Sequence, residues 1–234
     1  FEMNFEGEKG IEVAGIEIPD HILTRIGWLL PLLTVVFSML AHALSGNARA
    51  IPFFISEADY PGLQRWIFTT GFAISGVIMC IISYRFQHLF QSAEKSKLTR
   101  ISFFSGLTTG IGLTVLAFVN MYDALLLHCI FAIVIFSGGL IWGTSTHLLF
   151  EAAKPLGKQL RRIGLAMAAF GLITMNVVLM IFIGLHRDEL SITGASVNLL
   201  DTIQSAINYA APAEYILFLG LIVTLIAFEL DLKS

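Results

Sequence analysis

Five ionisable side chains lie at or near the predicted ends of long apolar segments, where such groups are costly and are functional candidates by default. They are His42, Asp123, His128, His186 and Glu214. Three imidazoles and a carboxylate brought to one depth could hold a metal ion and activate water for lipid cleavage. The sequence contains no His-x-x-x-His or His-Glu-x-x-His ligand pair. We therefore expect interfacial hydrogen bonding and capping from these groups, and no bound metal.

Haem is a second chemistry that paired histidines can support in membrane helices. His128 and His147 share one apolar segment, but 19 residues separate them, which is ~28 Å along a helix. The two side chains cannot ligate the same iron. We expect no cofactor and no catalytic residue.

His128 and Glu214 form the best-placed pair among these groups, because both are expected near the same membrane face. We predict that this pair ties an outer loop to the helix ends, each side chain offsetting the desolvation of the other. Glu214 also follows Pro212 by two residues, where a carboxylate favours a helix N-terminus.

The composition identifies the elements that must position these residues. The 234 residues are 56% hydrophobic and 13% charged, about half the ~25% charged content of soluble domains, and the mean hydropathy is +0.80. The apolar residues lie in runs of about 20, as bilayer-spanning helices require. This pattern excludes disordered, disulfide-rich secreted and basic nucleic-acid-binding classes.

Six segments are long enough to cross a hydrocarbon core ~30 Å thick at ~1.5 Å per residue. We predict an all-α polytopic membrane protein, with one six-helix bundle over residues 26–232 and an acidic cytoplasmic segment over residues 1–25. Within that segment, alternating apolar residues in 10–18 fit either an extended stretch or a solvated arm, and a short interfacial helix begins near Asp20. The predicted spans are 26–46, 66–86, 101–120, 124–150, 163–185 and 209–229.

Basic residues predict the orientation, because they concentrate on the cytoplasmic side. With both termini inside, the outer loops hold three of the 14 Lys and Arg residues, namely Arg49, Arg65 and Arg187. The inner side holds the other eleven. The basic residues placed in or beside the inner loops suit anionic headgroups; they are Arg85, Lys95, Lys97, Arg100, Lys154, Lys158, Arg161 and Arg162.

Small residues at four-residue spacing predict close helix packing. Gly106 and Gly110 form one such pair, and Gly139 and Gly143 form another. We interpret both as packing contacts within a single bundle rather than as a dimer interface.

Three motifs in order resemble one family of membrane proteins. A Pro-x-x-Ile-Ser run and a second proline fill the first outer loop. A Leu-His pair, a small residue and a phenylalanine follow in the fourth span, and a glutamate and an aspartate lie near the two ends of the last one. The positions are Pro52, Ile55, Ser56, Pro61, His128, Ala132, Phe136, Glu214 and Asp231. The pattern resembles the FRAG/DRAM/SFK family over roughly residues 28–232.

The resemblance implies a non-enzymatic membrane scaffold or regulator, linked to lipid or phosphoinositide organisation or to autophagy. The implied location is a lysosomal, endosomal or plasma membrane. The implied partners are membrane lipids and a cytosolic or membrane protein, with no nucleic acid. The predicted outer loops lack cysteine, which favours the autophagy-modulator and SFK branches over the GPI-remodelling branch.

A membrane-embedded lipid-handling enzyme or a lipid transporter is the alternative. A scaffold predicts His128 and Glu214 in closed hydrogen bonds and no sizeable cavity. An enzyme predicts a lipid-accessible cleft lined by two or more of the five outer-side residues.

Overall fold

Long apolar runs make helices the dominant element of the computed structural model, because a helix satisfies every backbone polar group within the segment. The structure describes residues 3–4, 10–13, 15–90, 96–150, 154–186 and 196–233. The helices are α1 (Asp20–Leu44), α2 (Leu63–Leu89), α3 (Ser96–Leu116), α4 (Leu125–Leu149), α5 (Pro155–Leu185), α6 (Ser196–Thr202) and α7 (Gln204–Leu232), with a 3-10 turn at Ile55–Asp59.

Five of the helices in the described ranges are long and apolar enough to cross a membrane: α1, α2, α4, α5 and α7. The helix α3 is not among them, because Ser, Thr and Gly residues lower its hydropathy. Many large apolar side chains on the helix exteriors are exposed, among them Phe37, Ile111 and Phe170. This surface suits contact with lipid, so the chain is a polytopic helical membrane protein. The count of six spans and the orientation stay predictions.

The residues before α1 form a small antiparallel sheet with strand order β1-β2-β3. Its strands are β1 (Met3–Asn4), β2 (Gly10–Val13) and β3 (Ile16–Pro19). Ile11 pairs with Ile18, and Ile11 is buried against a cluster that contains Phe86 and Phe228. The alternation in 10–18 therefore corresponds to a strand pair docked on the helices. Asp20 is the first residue of α1, which continues without a break to Leu44.

Small residues let three helix pairs approach closely. A Cβ atom added to Gly76 of α2 would lie 2.5 Å from the carbonyl oxygen of Gly110 in α3. One added to Gly164 of α5 would lie 2.6 Å from the carbonyl oxygen of Gly220 in α7. Gly106 packs between Ser83 and Trp142, so α3 also fits tightly against α4.

The second predicted glycine pair faces other helices of the same chain. A Cβ atom on Gly139 would contact Leu221 at 3.4 Å, and one on Gly143 would lie 2.9 Å from Leu165. Gly139 and Gly143 therefore lie at contacts of α4 with α7 and with α5.

The bundle has two distinct ends. Residues 45–62, here called the cap, cover the end where α1 finishes and α2 begins, and this is the capped end. The strand pair, the start of α1 and the last turn of α7 lie at the opposite end, the terminal end.

Candidate functional site

The cap is held down by apolar burial. Phe53, Phe54, Ile55 and Ala58 are all less than a tenth exposed, and Ala58 is fully buried. Ile55 and Ala58 pack with Phe68 of α2 in one core cluster. Full burial of such side chains contributes ~1.5–3 kcal/mol each, so the cap is part of the folded bundle.

Glu214 fastens the cap to α7. Its Oε2 atom accepts a hydrogen bond from the backbone N–H of Ile55 at 2.8 Å. The neighbouring Tyr215 hydroxyl donates to the Phe53 carbonyl oxygen. Glu214 is 6% exposed, and the structure records no bond to its Oε1 atom among the described residues. One carboxylate oxygen is thus engaged and the other is free.

Glu57 organises the cap from within. Its Oε1 atom accepts from the Phe54 N–H at 3.0 Å, and its Oε2 atom lies 3.0 Å from Nη2 of Arg49. Arg49 also bonds Gln204 at 2.6 Å, which ties the cap to the start of α7. Burial raises the pKa of Glu57 despite the Phe54 N–H and the Arg49 charge.

Asp59 is the least well-paired carboxylate of the cap. It is 1% exposed, and neither carboxylate oxygen has a hydrogen bond. Arg65 lies 3.4 Å away as an ion-pair partner, but its guanidinium hydrogen bonds go to the Asp59 carbonyl oxygen instead. Burial raises the pKa of Asp59 to about 7, so this group titrates near neutrality.

Two histidines are buried at the capped end. His128 is 2% exposed, and its Nδ1 lies 2.5 Å from the Val119 carbonyl oxygen. Because a carbonyl only accepts, Nδ1 carries the proton, and the neutral ring leaves Nε2 as an acceptor. That Nε2 atom is buried without a partner. His42 packs edge-on against Phe53, and its Nδ1 is likewise unpaired.

His128 and Glu214 line one cavity of about 130 Å³. The cavity lies between α1, α2, α3, α4 and α7 and is otherwise largely apolar. Ser56 of the cap borders it, and Trp142 and Leu225 line its far part. Both members of the predicted pair therefore line the same cavity. The structure records no direct hydrogen bond between the two side chains, and each bonds a different backbone group.

The remaining outer-side candidates lie elsewhere. Asp123 is exposed and accepts from the Asn120 side chain. His186 stacks on Phe182 at the end of α5. Neither residue lines the cavity. Within the described ranges, no three His, Cys, Asp or Glu side chains are grouped to hold a metal ion.

The prolines of the motif act through their backbone. The Pro52 carbonyl oxygen accepts from the Gln204 amide at 3.1 Å, and the Pro61 carbonyl oxygen accepts from the Gln64 amide at 3.1 Å. The Ile51–Pro52 peptide bond is cis. Ala132 and Phe136 of the α4 motif both line the cavity.

At the terminal end, Glu229 gathers three donors from both ends of the chain. Arg25 bonds it at 2.7 Å, the Trp28 indole N–H at 2.6 Å and Lys233 at 2.9 Å. A second pair joins Asp20 and Arg85 at 2.6 Å. These contacts hold the start of α1 against α7 and α2.

Asp231 pairs with Arg161 in the most deeply buried ion pair described. Arg161 is fully buried, bonds Asp231 and lies over the rings of Phe150 and Phe228 at 5.1 and 5.0 Å. The Lys154 N–H also donates to Asp231 at 2.9 Å. The aspartate of the family motif thus closes the terminal end.

The eight residues predicted to bind headgroups therefore fall into a buried group and an exposed group, with one residue outside the described ranges. Arg85 and Arg161 are buried in the ion pairs above, and Lys95 lies outside the described residues. The remaining five are exposed on the terminal end: Lys97, Arg100, Lys154, Lys158 and Arg162.

The apolar helices define this chain as a polytopic helical membrane protein. Residues 21–234 match the family described as Frag1/DRAM/Sfk1/Cwh43P N-terminal domain. The chain belongs to this family, which confirms the resemblance seen in the three motifs. No curated protein matches the chain, and no solved structure does.

The cap carries groups that sequence reasoning missed. In the sequence, Arg49 and Arg65 indicate only the topology, and Glu57 and Asp59 are only neighbours of the loop motif. The sequence does contain a signal for these contacts: two basic side chains flank two acidic ones in a short loop. Such charges pair with one another when the loop is buried.

Proposed function

We propose that this protein is a non-enzymatic membrane scaffold or regulator, and that its terminal end is the contact surface for a cytosolic protein. The strand pair carries the proposal. Ile11 anchors it in the core, while Glu12, Ile16 and Glu17 are exposed. A fixed acidic surface of this kind suits a partner with a basic face.

Charge placement supports the same orientation. The positive-inside distribution predicts that both termini lie in the cytoplasm, and the exposed Lys and Arg residues of the terminal end then meet anionic headgroups. We propose six spans with this topology, in a lysosomal, endosomal or plasma membrane. Cysteines introduced at Asn47 and at Ser96 test the topology, because an impermeant thiol reagent reaches only one of them in sealed membranes. It should label only the first on intact cells if the protein is in the plasma membrane, and only the second on intact lysosomes or endosomes.

The lipid-handling alternative predicts a cleft lined by two or more of the five outer-side residues, and His128 and Glu214 do line one cavity. Each of them also bonds a backbone group that holds the fold together. Asp123 and His186 lie outside that cavity. We therefore favour a structural role for the ionisable residues of the capped end. Only a few of their atoms, such as Nε2 of His128, have no hydrogen-bond partner.

The test is purification in gentle detergent with and without reversal of the acidic surface. Glu12→Lys with Glu17→Lys reverses it, and Asp123→Lys is the control on an exposed carboxylate of the capped end. We expect a stoichiometric soluble partner with the wild type and the control, and its loss from the first variant. A partner retained by both variants, or lipid turnover by the purified protein alone, would contradict the proposal.

A further inference from the structure

The cavity at the centre of the bundle has the shape and lining of a lipid-chain site. Five helices contribute to its wall. Most of the lining side chains, such as Phe68 and Leu225, are apolar, and a few carry small hydroxyl groups. From His128 to Trp142 along α4 the lining covers ~21 Å, and from Glu214 to Leu225 along α7 ~16 Å.

The volume limits the occupant to a single chain. An apolar cavity of ~150 Å³ stays dry and accepts a small hydrocarbon such as benzene. The present cavity of about 130 Å³ is slightly smaller. By that comparison it has room for a short segment of one chain next to its head group, and no room for a two-chain phospholipid.

The polar end of the cavity selects the head group. The Nε2 atom of His128 is an acceptor, because Nδ1 donates to Val119, and it has no partner. Glu214 offers its Oε1 atom, while Oε2 is occupied by the Ile55 N–H. The unpaired Nε2 acceptor of His128 favours a head group that donates a hydrogen bond. A fatty acid carboxylate has no proton to donate to it.

We propose that this cavity binds a single-chain lipid with a hydrogen-bond-donating head group, an alcohol or amine held between His128 and Glu214. The Ile55 N–H bond links the occupied site directly to the cap. The site does not depend on the scaffold role, since its occupant lies inside the bundle and the partner surface lies at the terminal end.

Photolabelling of the purified full-length protein tests the site. The probe is a monoacylglycerol with a diazirine in the middle of its chain. We expect labelled peptides from the cavity wall of α4 and α7, and loss of that label with excess unlabelled monoacylglycerol. Oleate and dioleoylphosphatidylcholine at the same concentration should compete little. Equal competition by oleate would overturn the assigned head-group chemistry, and label confined to lipid-facing residues would overturn the site.

Two variants act on the two parts of the site. Glu214→Gln keeps an oxygen that accepts from the Ile55 N–H, but it places an amide NH2 donor where Oε1 faces the cavity. About ten times more unlabelled monoacylglycerol should then be needed to displace the probe. Ala132→Leu fills the chain channel and should abolish the wall label. Val134→Leu, on the exposed side of α4, is the matched control and should label as wild type.

The outcomes separate folding from binding. Labelling of each variant is compared with that of the wild type only if the two proteins have the same melting temperature in detergent. Ala132→Leu changes an apolar side chain, so it removes no hydrogen bond at the capped end. Wall labelling unchanged in both Ala132→Leu and Glu214→Gln would overturn the proposal. Cavity labelling in a wild-type protein that co-purifies with no soluble partner would overturn only the scaffold role.

Discussion

The two ends of the bundle stabilise buried carboxylates in different ways. At the terminal end, Glu229, Asp231 and Asp20 each face an arginine in a hydrogen-bonded ion pair. At the capped end, Glu214 relies on one backbone N–H, and Asp59 has no hydrogen bond to its carboxylate oxygens. The terminal end is therefore electrostatically closed, whereas the capped end keeps spare acceptors.

This difference has a physical consequence for each end. A buried charge paired with an opposite charge is costly to disturb, because removal of one partner leaves the other uncompensated. A buried carboxylate with few partners shifts its protonation instead. We expect mutations at the terminal end to act on stability, and pH or ligands to act at the capped end.

The largest effect should come from Arg161. Arg161→Leu leaves Asp231 buried without its main cation and removes the contacts with Phe150 and Phe228, so we expect a loss of ~3–5 kcal/mol. Thermal unfolding in detergent measures it. The double variant Arg161→Leu, Asp231→Leu should recover part of the loss, and a single variant as stable as wild type would contradict the ion-pair role.

Gly157 should be the next most sensitive position at the terminal end. A Cβ atom there would overlap the Asp231 carboxylate, so Gly157→Ala should destabilise by ~1–3 kcal/mol. Gly184→Ala is the matched control on the same helix, since nothing lies within 4 Å of its added Cβ atom. Equal melting temperatures for the two variants would show that the carboxylate can move aside.

The capped end should respond to pH through Asp59. Its pKa is raised to about 7, so the folded state holds this proton more tightly than the unfolded chain does. Its stabilising contribution is present below ~4, the unfolded pKa, and is lost as the pH rises to about 7. Asp59→Asn resembles the protonated form and should exceed wild type by ~1–3 kcal/mol at pH 8.

The control for this prediction is Asp201→Asn, which changes an exposed carboxylate of the same end. Its ion pair with Arg49 at 3.1 Å is open to solvent, so the loss of that pair should cost little. Unfolding is measured from pH 4 to pH 8. The wild type and Asp201→Asn should lose stability together over that range, while Asp59→Asn should lose less. Parallel curves for all three proteins would remove Asp59 as the source of the pH dependence.

The helices and the family could be predicted because both depend on local patterns. Runs of about 20 apolar residues predict the central part of each helix. The motif around Pro52 and Ile55 is contiguous in the chain, so it can be found from the sequence alone. The helix bounds extend beyond several predicted spans, since α5 begins at Pro155 rather than at residue 163. Hydropathy detects the apolar core of a helix and misses polar turns stabilised by packing.

The ion pairs of the terminal end could not be predicted in the same way. Arg161 and Asp231 lie 70 positions apart, and Arg85 and Asp20 lie 65 apart. An inner-loop arginine looks the same in sequence whether it meets a headgroup or a buried carboxylate. The partners follow only from which helix ends adjoin, and that depends on packing between glycines on different helices.

The smallest predicted effect concerns the contact between the two loops of the capped end. The Tyr122 hydroxyl donates to the Glu57 carbonyl oxygen at 2.9 Å, and its ring packs edge-on against Tyr60. Tyr122→Phe keeps the ring and loses one hydrogen bond, so the expected loss is ~1 kcal/mol. Tyr209→Phe, at an exposed position, should change nothing. If Tyr122→Phe destabilised as much as Arg161→Leu, the capped end would be as tightly closed as the terminal end, and the contrast between them would fail.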